Sequence, residues 1–398
     1  MKITGVEANI FSYKYNIDET WKWSGGQCIG RNLVLVKVKT DEGIEGYGEV
    51  GEEAFLPQSV KKIVEEQFSL MLIGEDPFNI EKIWHKMYMR SNHWGRKGLI
   101  IPIISGIDIA LWDLVAKYLK QPLYKILGGA CRDKIRVYAS TGQEKPIKEI
   151  VEQVLMYKDM GFTAIKVRIG SHSDLDHDVE LISEIRKAIG TKIDLMADAG
   201  QSYNDNPWTD FTAINVAKKL ERFDLFWLEE PLHPDNITGY KRLCNSTIIP
   251  IALGENEYTR FGFQQLIDQR AGDIFQPDVT RAGGFSECKK IAAMASAYQL
   301  PCAPHNFLNG ISLMASLHFI ASTANCIIME YDCTANPLRE ILLKEPIILE
   351  EGYIELPKSP GLGVEVKEDL EKRFPFKGEV TVNRDIQNKY KITSWLDI

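Results

Sequence analysis

Eight short apolar runs recur through the C-terminal part of the chain, and their regular spacing limits the fold more than any other feature. They are "IRVYAST" (135–141), "AIKVRIG" (164–170), "DLMADAG" (194–200), "LFWLEEP" (225–231), "IPIALGEN" (249–256), "DIFQPDV" (273–279), "LPCAPHNF" (300–307) and "NCIIMEYD" (325–332). Amphipathic stretches such as "DVELISEIRKAIG" and "CKKIAAMASAYQ" separate most of them. Near-continuous apolar strands are buried on both faces, and their alternation with helices implies a parallel sheet covered by helices. Eight such units over roughly 230 residues match the count and size of a (β/α)8 barrel. The competing arrangement is an open doubly wound sheet, but none of the eight runs is followed by a GxGxxG turn.

Upstream the pattern differs. Residues 1 to about 50 read as strands, "KITGVEANIF" and then "NLVLVKVKTDEGIEGYGEV", with "TDEG" as a hairpin turn. Between them lies "YNIDETWKWSGGQCIGR", polar and glycine-rich but carrying Trp21 and Trp23. From 57 to 128 the period becomes helical, in "SVKKIVEEQFSLML" and "IPIISGIDIALWDLVAKYLK". The segment from "GYIELPKSPGLGVEV" onward reads as β structure again. The expected organisation is an α+β cap over 1–128, a barrel over 129–350, and a C-terminal segment, 351–398, returning to the cap.

The formal net charge of −8 argues against nucleic acid as a partner, which usually needs a basic face. The seven cysteines form no CxxC pair and read as reduced thiols. No apolar run approaches the ~20 residues of a membrane span, and the N-terminus lacks a signal-peptide core. The expectation is a soluble, cytoplasmic protein without a membrane or nucleic-acid partner.

Active sites of barrels sit at the C-terminal ends of the strands. Ionisable residues fall near the ends of seven consecutive expected strands: Lys166 with Arg168, Asp198, Glu229 with Glu230, Glu255, Asp278, His305 and Glu330. Successive steps of 32, 31, 26, 23, 27 and 25 residues equal one βα unit each, so these groups ring one mouth. A single carboxylate there could be a helix N-cap. Several buried carboxylates converging on one pocket repel each other unless a cation compensates. Asp198, Glu229 and Glu255 come from consecutive strands and would form an all-oxygen site suited to Mg²⁺; zinc usually brings His or Cys. Glu230 alternates to the other face. Asp278 can accept from one nitrogen of His305 and leave the other as a base. Cys302, three residues before His305, faces away. The remaining histidines, His85, His93, His172, His177, His233 and His318, have no such partner, and His318 reads as helix packing. A divalent metal facing a His–Asp base suits removal of a proton α to a carboxylate.

Several motifs carry a resemblance to a known family: "SGIDIALWDL" with "LGG", "KVR", "DAGQ", "WLEEP", "GEN", "PDVTRAGG" and "PHN", in this order. The chain resembles the mandelate racemase subgroup of the enolase superfamily over essentially its whole length. That resemblance implies a modified (β/α)8 barrel with an α+β capping domain, and Asp198, Glu229 and Glu255 as Mg²⁺ ligands. It implies His305, oriented by Asp278, as general base or acid, and Glu330 as a hydrogen-bond partner of the substrate carboxylate. It also implies a homo-oligomer, and a water-excluding specificity lid in the loop with Trp21 and Trp23. The family often has Asn two residues after the third-strand Asp, where this chain has Gly200. Members resembling galactonate and mannonate dehydratases carry a third-strand His that "DAGQ" lacks. The second-strand motif of racemases and epimerases is most often Lys-x-Lys, whereas the second basic position here is Arg168. A guanidinium stays protonated and is a poor base. One His can serve an elimination, so the expected activity is a hydro-lyase dehydrating an aldonate or aldarate to a 2-keto-3-deoxy acid through a metal-stabilised enolate. Lys166 would then orient the substrate carboxylate, and Arg168 would hold an oxygen or neutralise the acidic site. The alternatives are a racemase or epimerase with Lys166 as second base, and a non-catalytic binding homologue.

Overall fold

The computed structural model describes residues 1–23, 26–51, 56–141, 145–170, 175–378 and 381–382. The first six barrel strands are Lys134–Ser140, Ala164–Arg168, Asp194–Asp198, Leu225–Glu229, Ile251–Leu253 and Ile274–Phe275. Each pairs in parallel with the one before it. The seventh run does not form the expected strand: it meets its neighbours through single parallel bridges at Cys302, to Phe275 and Cys326. Pro301 and Pro304 flank that bridge, and a residue without an N–H cannot extend a ladder. The eighth strand, Met329–Asp332, pairs in parallel with the first and closes the barrel.

Closure shows in the packing as well. Tyr138, Ala164, Met196, Trp227, Ala252, Ile274, Ala303 and Ile328 form one apolar cluster, with one residue from each of the eight barrel segments. Strand neighbours of these residues, such as Val167, Ala197, Phe275 and Cys302, point outward instead. They join a larger core with the covering helices, for example Leu181, Ile182, Ile185 and Ile189 of the helix Leu175–Ile189.

The cap is an antiparallel sheet of Ile3–Lys14, Gly30–Thr40 and Glu45–Glu49. Gly43 turns the hairpin at φ +75, a left-handed conformation that glycine adopts without steric cost. Sheet and helices bury a second core that includes Val34, Val36, Ile104 and Leu111. The first expected helix is divided: Pro57–Ile63 and Ser69–Leu72 are α-helical, and a π-helical turn, Val64–Phe68, joins them. The second is a continuous helix, Ile100–Tyr118. Gly46 and Gly48 let this helix press onto the sheet, since a Cβ there would lie 1.9 and 1.8 Å from backbone oxygens of Ala110 and Gly106.

Polar contacts seat the cap on the barrel. Glu49 accepts from the backbone N–H groups of Asn309 and Ser312, at 2.9 and 2.8 Å, at the start of the helix Gly310–Ala321. Those N–H groups have no partner within the helix. Asp108 accepts from the Ser286 hydroxyl at 2.5 Å, and the Trp84 indole donates to the Gly283 carbonyl at 2.8 Å. Past the barrel, Tyr353–Glu355 pairs antiparallel with the first barrel strand, and Thr381–Val382 pairs with Gly26–Cys28 beside the cap. The Trp23 side chain, His172 and the stretch from 383 lie outside the described residues. All seven cysteines are free. No helix among the described residues is long and apolar enough to cross a membrane.

Candidate active site

Side chains on a strand alternate, so residues two positions beyond the apolar cluster face the same interior, about 7 Å nearer the mouth. These positions are Ser140, Lys166, Asp198, Glu229, Gly254, Gln276, His305 and Glu330. The seven that carry side chains are buried, with at most 5 % exposure. Apolar floor gives way to an ionisable side chain within two residues on five of the eight barrel segments.

Lys166 is the centre of that ring. Its Nζ lies 2.7 Å from Glu229, 2.8 Å from Glu330 and 3.4 Å from Asp198. Arg168, one step nearer the mouth, lies 3.3 Å from Asp198 Oδ2. The second cation of "KVR" thus shares the anions that hold the first. Burial disfavours the charge on both groups. The carboxylates outweigh it, Glu229 and Glu330 at Lys166 and Asp198 at Arg168, and both pKa values rise.

The three candidate metal ligands diverge in their partners. Asp198 and Glu229 are paired across adjacent strand ends. Glu229 also accepts from the Trp227 indole at 2.9 Å. Burial, with Asp198 and Glu330 close by, pushes Glu229 up to about 7 despite Lys166. Glu255 lies two residues beyond its strand; its Oε2 is 3.4 Å from His305 Nε2, and its Oε1 accepts from the Tyr203 hydroxyl at 3.1 Å. As these side chains stand, no group of three or more His, Cys, Asp or Glu among the described residues closes on a point that could hold a metal ion. The acids close on Lys166 instead.

Asp278 and His305 meet as their spacing predicted, with Oδ2 2.7 Å from Nδ1. The other Asp278 oxygen accepts from the backbone N–H and hydroxyl of Thr280, at 2.7 and 2.6 Å. Asp278 is held below the usual carboxylate range: burial opposes this, but the His305 hydrogen bond prevails. An ionised carboxylate only accepts, so Nδ1 of His305 carries the proton and Nε2 faces Glu255. Burial disfavours the imidazolium, yet Glu255 and the Asp278 bond raise His305 to about 9.

Two further acids lie by the ring. Glu330 stands beside Lys166 on the ring. It accepts from the Asn306 backbone N–H at 2.9 Å and pairs with Lys166. Burial works against its ionisation, but Lys166 and His305 bring it down to about 2. Glu230 does leave the ring, yet it remains 2 % exposed at φ +37. It accepts from the Asn256 amide at 2.7 Å, and burial together with Glu255 raises it to about 8. His318 is a packing residue, stacked on Tyr124 at 5.8 Å and accepting from its backbone N–H at 3.0 Å. Trp21 packs edge-on against Phe307 with ring centres 5.8 Å apart. Sequence reasoning missed Trp227, Thr280, Tyr203 and Gln276. The period-two pattern identifies Trp227 and Gln276 once the strands are fixed; nothing in the sequence marks the other two.

A closed α/β barrel with a cap, and a mouth of buried carboxylates, a lysine and a His–Asp pair, defines a class: capped barrels with an acidic site at the strand ends. The chain belongs to the mandelate racemase/muconate lactonizing enzyme family of the enolase superfamily. Residues 6–128 match the family described as mandelate racemase/muconate lactonizing enzyme, N-terminal domain, and residues 149–370 the enolase C-terminal domain-like family. The D-galactarolactone cycloisomerase of Agrobacterium fabrum is 33 % identical over 386 residues, 94 % of this chain and 99 % of that protein. The arabinonate dehydratase of Saccharolobus solfataricus is 34 % identical over 348 residues, 87 % and 91 % of the two chains. Among solved structures, the 3,6-anhydro-D-galactonate cycloisomerase of Zobellia galactanivorans has TM-score 0.84 and 36 % identity, covering 95 % of this chain and all of that one (100 %). A racemase from Streptomyces coelicolor with bound magnesium has TM-score 0.83 and 29 % identity, covering 96 % and 100 %.

Proposed function

We propose that this protein is a Mg²⁺-dependent hydro-lyase that dehydrates a sugar acid, an aldonate or aldarate, to a 2-keto-3-deoxy acid. The observation that carries the reading is the single His–Asp pair, beside a Lys166 locked between Glu229 and Glu330 and a guanidinium at Arg168 that cannot act as a base. One base, and no second group ready to accept a proton on the other face, suits elimination better than racemisation. Asp198, Glu229 and Glu255 fit a hard divalent cation: all are oxygen donors and buried, and Glu229 is pushed up by neighbours whose charge a dication would offset. When bound there, Mg²⁺ supplies a Lewis acid at the substrate carboxylate.

The chain's own residues do the rest. Lys166 binds a substrate carboxylate oxygen and stabilises the charge that grows there. His305 Nε2 takes the α-proton while Asp278 keeps Nδ1–H fixed. His305, now protonated at both nitrogens, then donates from Nε2 to the β-hydroxyl, which leaves as water. Arg168 holds a second substrate oxygen or offsets the metal-site carboxylates. Glu330 fixes Lys166 and the Asn306 backbone at the place where the substrate carboxylate is bound. The same reading takes 1–128 as cap, 129–350 as barrel and 351–398 as the returning segment, with Trp21 in a lid over the mouth. A second reading is favoured by the cycloisomerases among the relatives: if the leaving oxygen stays tethered in the same molecule, the elimination gives an isomer and releases no water. Screening aldonates, aldarates and their lactones or anhydro forms with Mg²⁺ tests both. Keto-deoxy acid from open-chain acids supports dehydration; turnover of cyclic substrates alone supports the second reading, and turnover of none supports a binding homologue.

A further inference from the structure

Arg31 lies outside the ring of strand-end residues, near the start of the cap strand Gly30–Thr40, and is 8 % exposed. Its Nη2 lies 2.6 Å from Asp332 Oδ2 and donates to the Thr334 hydroxyl at 2.5 Å. Nη1 donates to the Phe307 carbonyl at 3.1 Å, and Nε to the Tyr15 hydroxyl at 2.9 Å. That hydroxyl donates onward to the Ala335 carbonyl at 2.8 Å. The guanidinium also sits 5.0 Å from the Phe307 ring and 5.9 Å from the Trp21 ring. Asp332 is equally committed: its Oδ1 accepts from the Thr334 N–H at 2.8 Å and the Thr334 hydroxyl at 2.6 Å.

These contacts fall at meaningful places. Phe307 is two residues beyond His305, and Asp332 two beyond Glu330. The seventh segment has almost no ladder of its own, only the bridges at Cys302. Its mouth end therefore depends on side-chain anchors. A planar fork with five donors at fixed angles ties two loops in one rigid geometry, which the single ammonium of a lysine does not reproduce.

We propose that Arg31 is a positioning residue: from the cap, it clamps the ends of the seventh and eighth barrel segments and so sets the reach of His305 and of the Glu330–Lys166 pair. The inference rests on the proposed role of His305 as the base. Misplacement of a catalytic group by about 1 Å can cost on the order of a hundredfold in rate. Arg31 touches none of the candidate metal ligands, so its effect on metal binding is indirect and smaller than its effect on the His305 step.

The test compares the full-length wild type with Arg31→Lys, which keeps a charge opposite Asp332, and with Tyr15→Phe, which removes one anchor only. Arg31→Lys is expected to lower kcat and α-proton exchange together, about tenfold to a hundredfold, with KM and Mg²⁺ affinity changed less than twofold. Tyr15→Phe should show a smaller loss in the same direction. Loss of thermal stability with kcat and exchange unchanged, measured where the variant is folded, would make Arg31 purely structural and overturn the proposal. NMR of histidine-labelled protein gives a readout that needs no turnover. The His305 ring signal should shift in Arg31→Lys; an unchanged signal contradicts the clamp even if no substrate is found. Silence of the wild type with the signal shifted would instead fault the assigned reaction and leave the clamp standing.

Discussion

Two layers of the barrel interior, separated by two residues on each strand, have opposite characters. The lower one, from Tyr138 round to Ile328, is apolar apart from the Tyr138 hydroxyl and the Trp227 indole N–H. The upper one holds Lys166, Asp198, Glu229, His305 and Glu330 with almost no water contact. Close-packed apolar groups stabilise the fold through burial. Buried charges recover the cost of desolvation only where partners are well placed. The contrast teaches that the floor supplies the stability that permits the mouth to be electrostatically crowded.

Substitutions should separate the layers. His305→Asn should lower turnover by 10²-fold to 10⁴-fold, as expected when a positioned base is removed, while Mg²⁺ binding and the melting temperature hold. Steady-state kinetics and calorimetry read both. Trp227→Ala, one layer down, should cost about 3–5 kcal/mol of stability in chemical denaturation, as loss of a large core aromatic does. It also strips the indole donor from Glu229, so weaker Mg²⁺ binding should accompany it. Glu229→Gln should weaken Mg²⁺ about tenfold or more without comparable destabilisation; unchanged affinity would remove Glu229 from the ligand set. Ile328→Val, deep in the floor, should cost only about 0.5–1.5 kcal/mol and leave kcat unchanged. A floor substitution that abolished turnover in a folded protein would break the division between the layers.

Two buried histidines extend the same contrast. Acids around His305 raise it to about 9, whereas burial without an acidic partner drops His318 to about 4. A histidine that is neutral when folded and titrates near 6.5 when unfolded stabilises the fold above that value. The contribution is lost as pH falls from about 6.5 towards 4. Melting curves between pH 7 and 4.5 should therefore fall less steeply for His318→Gln than for the wild type.

Much of this was legible in the sequence, because strand periodicity and βα spacing fix both the barrel and which residues share its interior. Lys166, Asp198, Glu229, Asp278, His305 and Glu330 all stand inside the mouth for that reason. The choice of partner was not legible. Spacing puts Lys166 among the acids but cannot say that it binds Glu229 and Glu330 more closely than Asp198. The missing seventh strand could have been read from Pro301 and Pro304. Gln276 was overlooked because it is neutral, although neither end of its buried amide has a partner among the described residues. Arg31 was invisible because its partner Asp332 lies 301 residues away and no local pattern connects them.

The central claim is that His305 alone handles the α-proton and that the chemistry ends in elimination. Reaction of an accepted open-chain sugar acid in D₂O with Mg²⁺, for the wild type and His305→Asn, tests it most directly. The account predicts accumulation of a 2-keto-3-deoxy acid by the wild type, with neither product nor α-deuterium exchange in the variant. Substrate recovered inverted at the α-carbon, deuterated and without keto acid, would contradict it.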